Sequence, residues 1–222
     1  MITLHSVEAL LRFPVDALDG NLGLVVDVLF DDKEWTVRHL VVDTGHRLGG
    51  RRILVPATML TVACWRRRGR MVRLTRQQVQ RISETSLPSF ASDLVHQERA
   101  MFVRFGVKWS ASRMRSCREV TGYDIHADDG AIGHVDDFLF DESHRRIRML
   151  VVDTRNCQPR RHVLISPMRI ARVSWETGAI ELNVSRAQVD RRPDYDPCMS
   201  SLRLMRHHLY RSRDHPRDAI GH

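Results

Sequence analysis

The chain has 222 residues, a formal net charge of +8 and a sequence pI near 10.1. That length holds two small domains with modest cores, and the charge points to an anionic partner. The excess is arginine, since lysine occurs only at Lys33 and Lys108, and arginine suits bidentate contacts to carboxylate or phosphate.

The N-terminus has charges inside its apolar stretch and no basic leader, so no signal peptide is expected. No apolar run is long enough to cross a bilayer. Cys64, Cys117, Cys157 and Cys198 are scattered without a C-x-x-C pair, which argues against a disulfide framework or zinc ribbon and for a cytoplasmic location.

In chain order, the first strong signal is the turn Asp19-Gly20. It is followed by β-rich runs at Leu24 to Phe30 and Val37 to Val42, joined by the polar turn Asp31 to Glu34. Simple alternation places Val25 and Leu29 on one face and Val26, Val28 and Phe30 on the other. Strands apolar on both faces are covered on both sides, so burial of part of the outer face against the other repeat is expected. A loop leads to Ile53-Leu54-Val55-Pro56. A hairpin then runs from TVACW, ending at Trp65, through RRRG into MVRLT, and a short polar helix or extended tail follows.

The stretch from Thr85 to Arg118 reads as a structured connector, with Ser92 placed to cap a short helix. Beyond it the first segment returns. DGNLGLVVDVLFDDKEWTVRHLVVDT (Asp19 to Thr44) is echoed without a gap by DGAIGHVDDFLFDESHRRIRMLVVDT (Asp129 to Thr154), at a constant offset of 110. That period is the length of a domain, too long for a solenoid unit. The echo continues through Val163 to Pro167, the hairpin ARVSW–ETG–AIELNV and SRAQVDRRP. Five or six short strands per copy imply a small antiparallel barrel. The expected architecture is mainly β: two tandem barrels over 1–88 and 116–197, a partly helical connector over 89–115, and a basic, His-rich tail over 198–222.

The ordered pattern resembles a PRC-barrel domain. It comprises Asp19-Gly20, Gly23 to Asp27, Phe30-Asp31, Val37 to Thr44 and Ile53 to Pro56. The second copy carries it as Asp129-Gly130, Gly133 to Asp137, Phe140-Asp141, Ile147 to Thr154 and Val163 to Pro167. This family includes the cytoplasmic domain of the photosynthetic reaction centre H subunit and the C-terminal domain of a ribosome maturation factor. The resemblance implies small barrels that serve as interaction modules rather than enzymes. The chain shows neither the membrane helix of the one nor the different N-terminal barrel of the other, so neither specific function carries over.

The chemistry-bearing residues fit that reading. The repeated acids Asp27/Asp137, Asp31/Asp141 and Asp43/Asp153 occur in both copies and are best explained as needs of the fold, with Asp43 and Asp153 either holding the loop that follows or pairing with Arg38 and Arg148. D-G-x-x-G lacks the Lys-Ser/Thr of a phosphate loop and precedes a strand, so its glycines serve backbone geometry. The histidines form no HExxH. His39, Asp43 and His46 have no counterpart triple, and no metal or cofactor is implied. No nucleophile motif is readable, and no catalytic residue is assigned.

Residues that differ between the copies point to partners. Arg66, Arg67, Arg68 and Arg70 form a basic hairpin turn where the second copy has Glu176-Thr177-Gly178-Ala179. Arg51, Arg52, Arg160 and Arg161 add charge to the preceding loops. These eight arginines are the candidate contacts to an anionic partner. The first expectation is a cytoplasmic, non-enzymatic interaction module or scaffold with a protein partner. The alternative is an RNA- or ribosome-associated factor using the basic turn, and a further alternative is a small-ligand binder or enzyme. A peripheral anionic membrane surface and a homodimer stay open as partners.

Overall fold

The computed structural model describes residues 4–45, 52–59, 70–71, 75–78, 113–154 and 161–196. The chain is mainly β. The strands are β1 (Leu4–Ser6), β2 (Pro14–Ala17), β3 (Gly20–Asp31), β4 (Thr36–Asp43), β5 (Arg52–Pro56), β6 (Arg70–Met71) and β7 (Met114–Ser116). After them come β8 (Asp124–Ala127), β9 (Gly130–Asp141), β10 (Ile147–Asp153), β11 (His162–Ile165), β12 (Ile170–Ser174) and β13 (Ala179–Leu182). Short α-helices among the described residues include α1 at Cys117–Val120 and α2 at Arg186–Asp190.

The strands form two sheets. One has the order β5-β4-β3-β2-β6 with β7 added to β3; the other has the order β11-β10-β9-β8-β13-β12 with β1 added to β9. The sheets are not purely antiparallel, as the sequence had suggested: β2 runs parallel to β6, and β8 parallel to β13. The reason lies at the corner Ser166–Arg169. There the chain turns through a 3-10 segment, with the Ser166 hydroxyl accepting from Met168 N at 3.3 Å. Because this is a corner and not a hairpin reversal, the hairpin β12–β13 brings β13 back in the direction of β8. Among the described pairings each sheet is an open path, and none closes it into a barrel.

The two long strands are positioned by their glycines. A Cβ on Gly23 would lie 2.0 Å from the Asp43 carbonyl oxygen, and one on Gly133 would lie 1.8 Å from that of Asp153. Only glycine lets β3 and β9 pass this close to the ends of their partner strands. Asp31 and Asp141 terminate these strands as turn residues. Asp31 accepts from Lys33 N at 3.1 Å and Glu34 N at 2.8 Å, and Asp141 accepts from Ser143 N at 2.8 Å.

The face assignment read from alternation is corrected here. Val25, Val28 and Phe30 enter the main core, while Leu29 packs on the other face with Val26. A register shift between Val25 and Asp27 inserts one residue and flips the alternation. Both faces are nevertheless covered. The outer cluster Leu29, Val41 and Leu54 receives Met114 of β7, and its counterpart Leu139, Val151 and Leu164 receives Leu4 of β1 and Tyr195.

This cover comes from a reciprocal exchange. β1 precedes the first sheet in sequence but pairs with β9, with Leu4 opposite Asp141 and Ser6 opposite Leu139. β7 precedes the second sheet but pairs with β3, with Met114 opposite Asp31 and Ser116 opposite Leu29. Every one of these positions maps onto its counterpart at the offset of 110. The hairpin tips exchange bonds in the same way: Val37 N donates to Arg145 O and Ile147 N to Trp35 O, both at 2.7 Å. The main core is continuous across both halves, with Phe30 and Phe138 ring centroids 6.0 Å apart. Met114 and Arg115, expected in the connector, therefore begin the exchanged strand. The rest of the connector through residue 112, its Ser92 cap, the hairpin at 61–69 and the tail lie outside the described residues.

Candidate functional site

The repeated acids of the long strands form the exchange latches. Asp27 accepts from Ser116 Oγ at 2.6 Å, Arg118 N at 3.2 Å and its neighbour Val28 N at 2.7 Å. Asp137 accepts from Ser6 Oγ and from Glu8 N, the latter at 2.9 Å. Each serine hydroxyl in turn accepts an N–H of the short helical turn that follows it, Ala9 N or Glu119 N, both at 3.0 Å. A carboxylate of one half thus holds the capped helical turn of the other. Burial raises both carboxyls above their ordinary range. Asp137, near Glu8, is pushed up to about 6, whereas Arg118 tempers the rise at Asp27.

The remaining acids are also engaged. Asp43 holds the loop that follows it, through Gly45 N at 2.9 Å. Arg38 and Arg148 do not pair with Asp43 and Asp153. Arg38 meets Glu34 at 2.8 Å, four residues away, and Arg148 meets Asp141 at 3.0 Å, because the strand alternation and the turn bring those carboxylates nearer. Asp19 and Asp129 accept from Arg76 N at 2.6 Å and Arg186 N at 2.7 Å, tying each D-G turn to the start of the helical segment that follows the strands of its half. His39 is buried and held neutral, its pKa lowered to about 4 by desolvation and by Arg38. No group of three His, Cys, Asp or Glu placed to hold a metal occurs among the described residues.

Of the eight arginines singled out in the sequence, Arg51, Arg66, Arg67, Arg68 and Arg160 lie outside the described residues. Arg70 starts β6, opposite Val15. Arg52 is exposed on β5. Arg161 faces inward on the fold: its guanidinium donates to Arg192 O and to Asp194 Oδ1, both at 2.9 Å, and to Asp190 O, at the end of α2. Cationic caps on a helix C-terminus are favourable, and they commit this side chain to the chain itself.

The structure adds a groove that the sequence did not reveal. Its volume is about 710 Å³, within the range of binding clefts, and both halves line it. One wall is the tip Asp32–Trp35 of the first hairpin. The other is the start of β10 at Arg146–Arg148, the Ser166–Met168 corner and β12 with Trp175. Trp35 adopts a left-handed φ of 53° and stacks on Phe30, centroids 5.2 Å apart. Arg115, carried by the exchanged β7, lies over the Trp175 ring at 4.3 Å and reaches Asp32 at 3.2 Å. Exchange of strands and tips therefore brings the first hairpin tip and Arg115 up to the wall formed by the second half. Met168 projects at the rim and is 88% exposed.

No sequence pattern marks these residues, because they come from three separate stretches brought together by the exchange. The serines of the latches did leave a signal: the offset of 110 extends back from Asp19 and Asp129 to Ser6 and Ser116.

Residues 15–74 match the PRC-barrel domain. No curated protein matches the chain. No helix among the described residues is long and apolar enough to cross a membrane.

Proposed function

We propose that the chain is a tandem PRC-barrel protein, with a second copy of the domain 110 residues after the first, acting as a non-enzymatic cytoplasmic protein-interaction module. The observation that carries this reading is the groove lined by both halves. A concave surface that exists only when two modules are joined gives a duplicated domain a contact face that one copy lacks, and clefts at domain junctions are favoured binding positions. The engagement of the repeated carboxylates supports the non-enzymatic part. Asp27, Asp31, Asp137 and Asp141 hold caps and turns, so their presence in both copies follows from the architecture.

The test is an equilibrium pull-down on the full chain, with and without nuclease, comparing wild type with Arg146→Glu/Arg172→Glu. Partners retained after nuclease and lost in the variant support the reading. Partners lost on nuclease treatment point to RNA, and an identical set on both chains removes the groove as the contact face.

A further inference from the structure

We infer that the groove between the halves takes an acidic peptide segment carrying an apolar anchor side chain, a partner class that rests on the interaction reading above.

The charge around the groove is unevenly compensated. Asp32 is met by Arg115 at 3.2 Å, Glu34 by Arg38 at 2.8 Å, and Arg148 by Asp141 at 3.0 Å. Lys33, Arg146 and Arg172 are exposed on the lining and have no ion-pair partner among the described residues. The uncompensated charge is positive and sits on both walls, Lys33 on one, Arg146 and Arg172 on the other. Arginine in such a place suits carboxylate groups, which its planar fork can grip with two bonds.

Between these cations the surface is apolar. Trp35, Ile170, Val173 and Trp175 are half-buried against the core and still reach the groove. Met168 stands at the rim, almost fully exposed. A flexible thioether beside aromatic rings is an adaptable surface for an apolar side chain. Cationic edges around an aromatic floor match a peptide in which Asp or Glu flanks Leu, Phe or Trp.

Other occupants fit less well. A nucleic acid would need open aromatic faces, but Trp35 is stacked on Phe30 and Arg115 lies over Trp175. The chain's own last residues carry Arg203, Arg206, Arg211, Arg213 and Arg217 against Asp214 and Asp218, the wrong sign. A second copy brings the same net charge of +8.

The experiment is selection of a random octapeptide library on the immobilised full chain at physiological salt, followed by titration of the enriched peptides. The expected result is enrichment of sequences that pair Asp or Glu with Leu, Phe or Trp. Their affinity should fall with added salt and drop about tenfold or more in Arg146→Glu/Arg172→Glu. Met168→Ala should weaken binding a few-fold, with the circular dichroism of both variants unchanged because all three side chains are exposed. Absence of enrichment, enrichment of basic or wholly neutral sequences, or binding that survives the double charge reversal overturns the inference. So does tighter, groove-dependent binding of a uridine oligonucleotide, or a change in elution volume of the double variant, which would make the occupant RNA or a second copy. If the peptides come out neutral while the nuclease-treated pull-down still depends on Arg146 and Arg172, the partner class fails and the interaction reading stands.

Discussion

Replacing Ser116 by alanine removes two bonds at once. Glu119 N loses its 3.0 Å cap acceptor, and Asp27 loses a 2.6 Å hydroxyl donor while keeping Val28 N and Arg118 N. A lost N-cap costs about 1 kcal/mol. A lost hydrogen bond to a buried carboxylate costs about 1.5 kcal/mol or more. The expected loss is therefore about 2–3 kcal/mol, a large share of the roughly 5–15 kcal/mol that holds a domain. Ser6→Ala should cost a similar amount, since it removes the matching pair on Ala9 N and Asp137. Urea unfolding measures the size, read from the midpoint at constant slope. Amide hydrogen exchange reads the location. Ser6 precedes the first sheet, yet its loss should raise exchange at Phe138–Asp141 of β9, in the other half. A loss below about 0.5 kcal/mol, or exchange that rises only within residues 4–45, would refute the latch.

Three further outcomes follow from the same geometry. Asp137, at about 6 against an ordinary 3.8, favours the folded state in its neutral form, so its contribution is present at low pH and is lost as pH rises through 6. Asp137→Asn should remove that dependence and, at pH 7, relieve up to about 3 kcal/mol of ionisation cost, measured as a pH series of urea midpoints. His39 acts with the opposite sign: its pKa is lowered to about 4 from 6.5, so its contribution is present above 6.5 and is lost as pH falls. His39→Met, the residue that the second copy carries as Met149, should flatten the decline between pH 7 and pH 4 in the same series. Gly133→Ala places a Cβ 1.8 Å from the Asp153 carbonyl oxygen and should cost at least about 3 kcal/mol or abolish soluble expression, whereas Gly45→Ala, where a Cβ meets nothing within 4 Å but φ is +55°, should cost about 1 kcal/mol.

The hairpins β3–β4 and β9–β10 were legible because turn chemistry and β-branched runs are local signals, and an exact offset repeated them. Which face Val25 and Val26 take was not legible, because a single inserted residue at the bulge reverses the alternation without changing composition. The parallel return of β13 was hidden for a similar reason, since a 3-10 corner and a hairpin leave much the same polar residues in sequence. Ser6 and Ser116 were less legible because their surroundings have diverged: at the same offset Leu4 corresponds to Met114, His5 to Arg115 and Arg12 to Gly122. The groove was the least legible feature. Trp35, Arg146 and Trp175 are ordinary surface and core residues in their own stretches, and acquire a shared role only through pairing across the halves. Sequence divergence marks the arginine-rich stretch Arg66–Arg70 instead, because charge is visible in sequence without any knowledge of contacts.

The measurement that bears most directly on the account is amide chemical-shift mapping of the isotope-labelled full chain during titration with the most enriched library peptide. The account predicts perturbation centred on Lys33, Trp35, Arg146, Met168 and Arg172, in both halves at once and with one midpoint. Perturbation confined to Arg66–Arg70, or to one half alone, would contradict it.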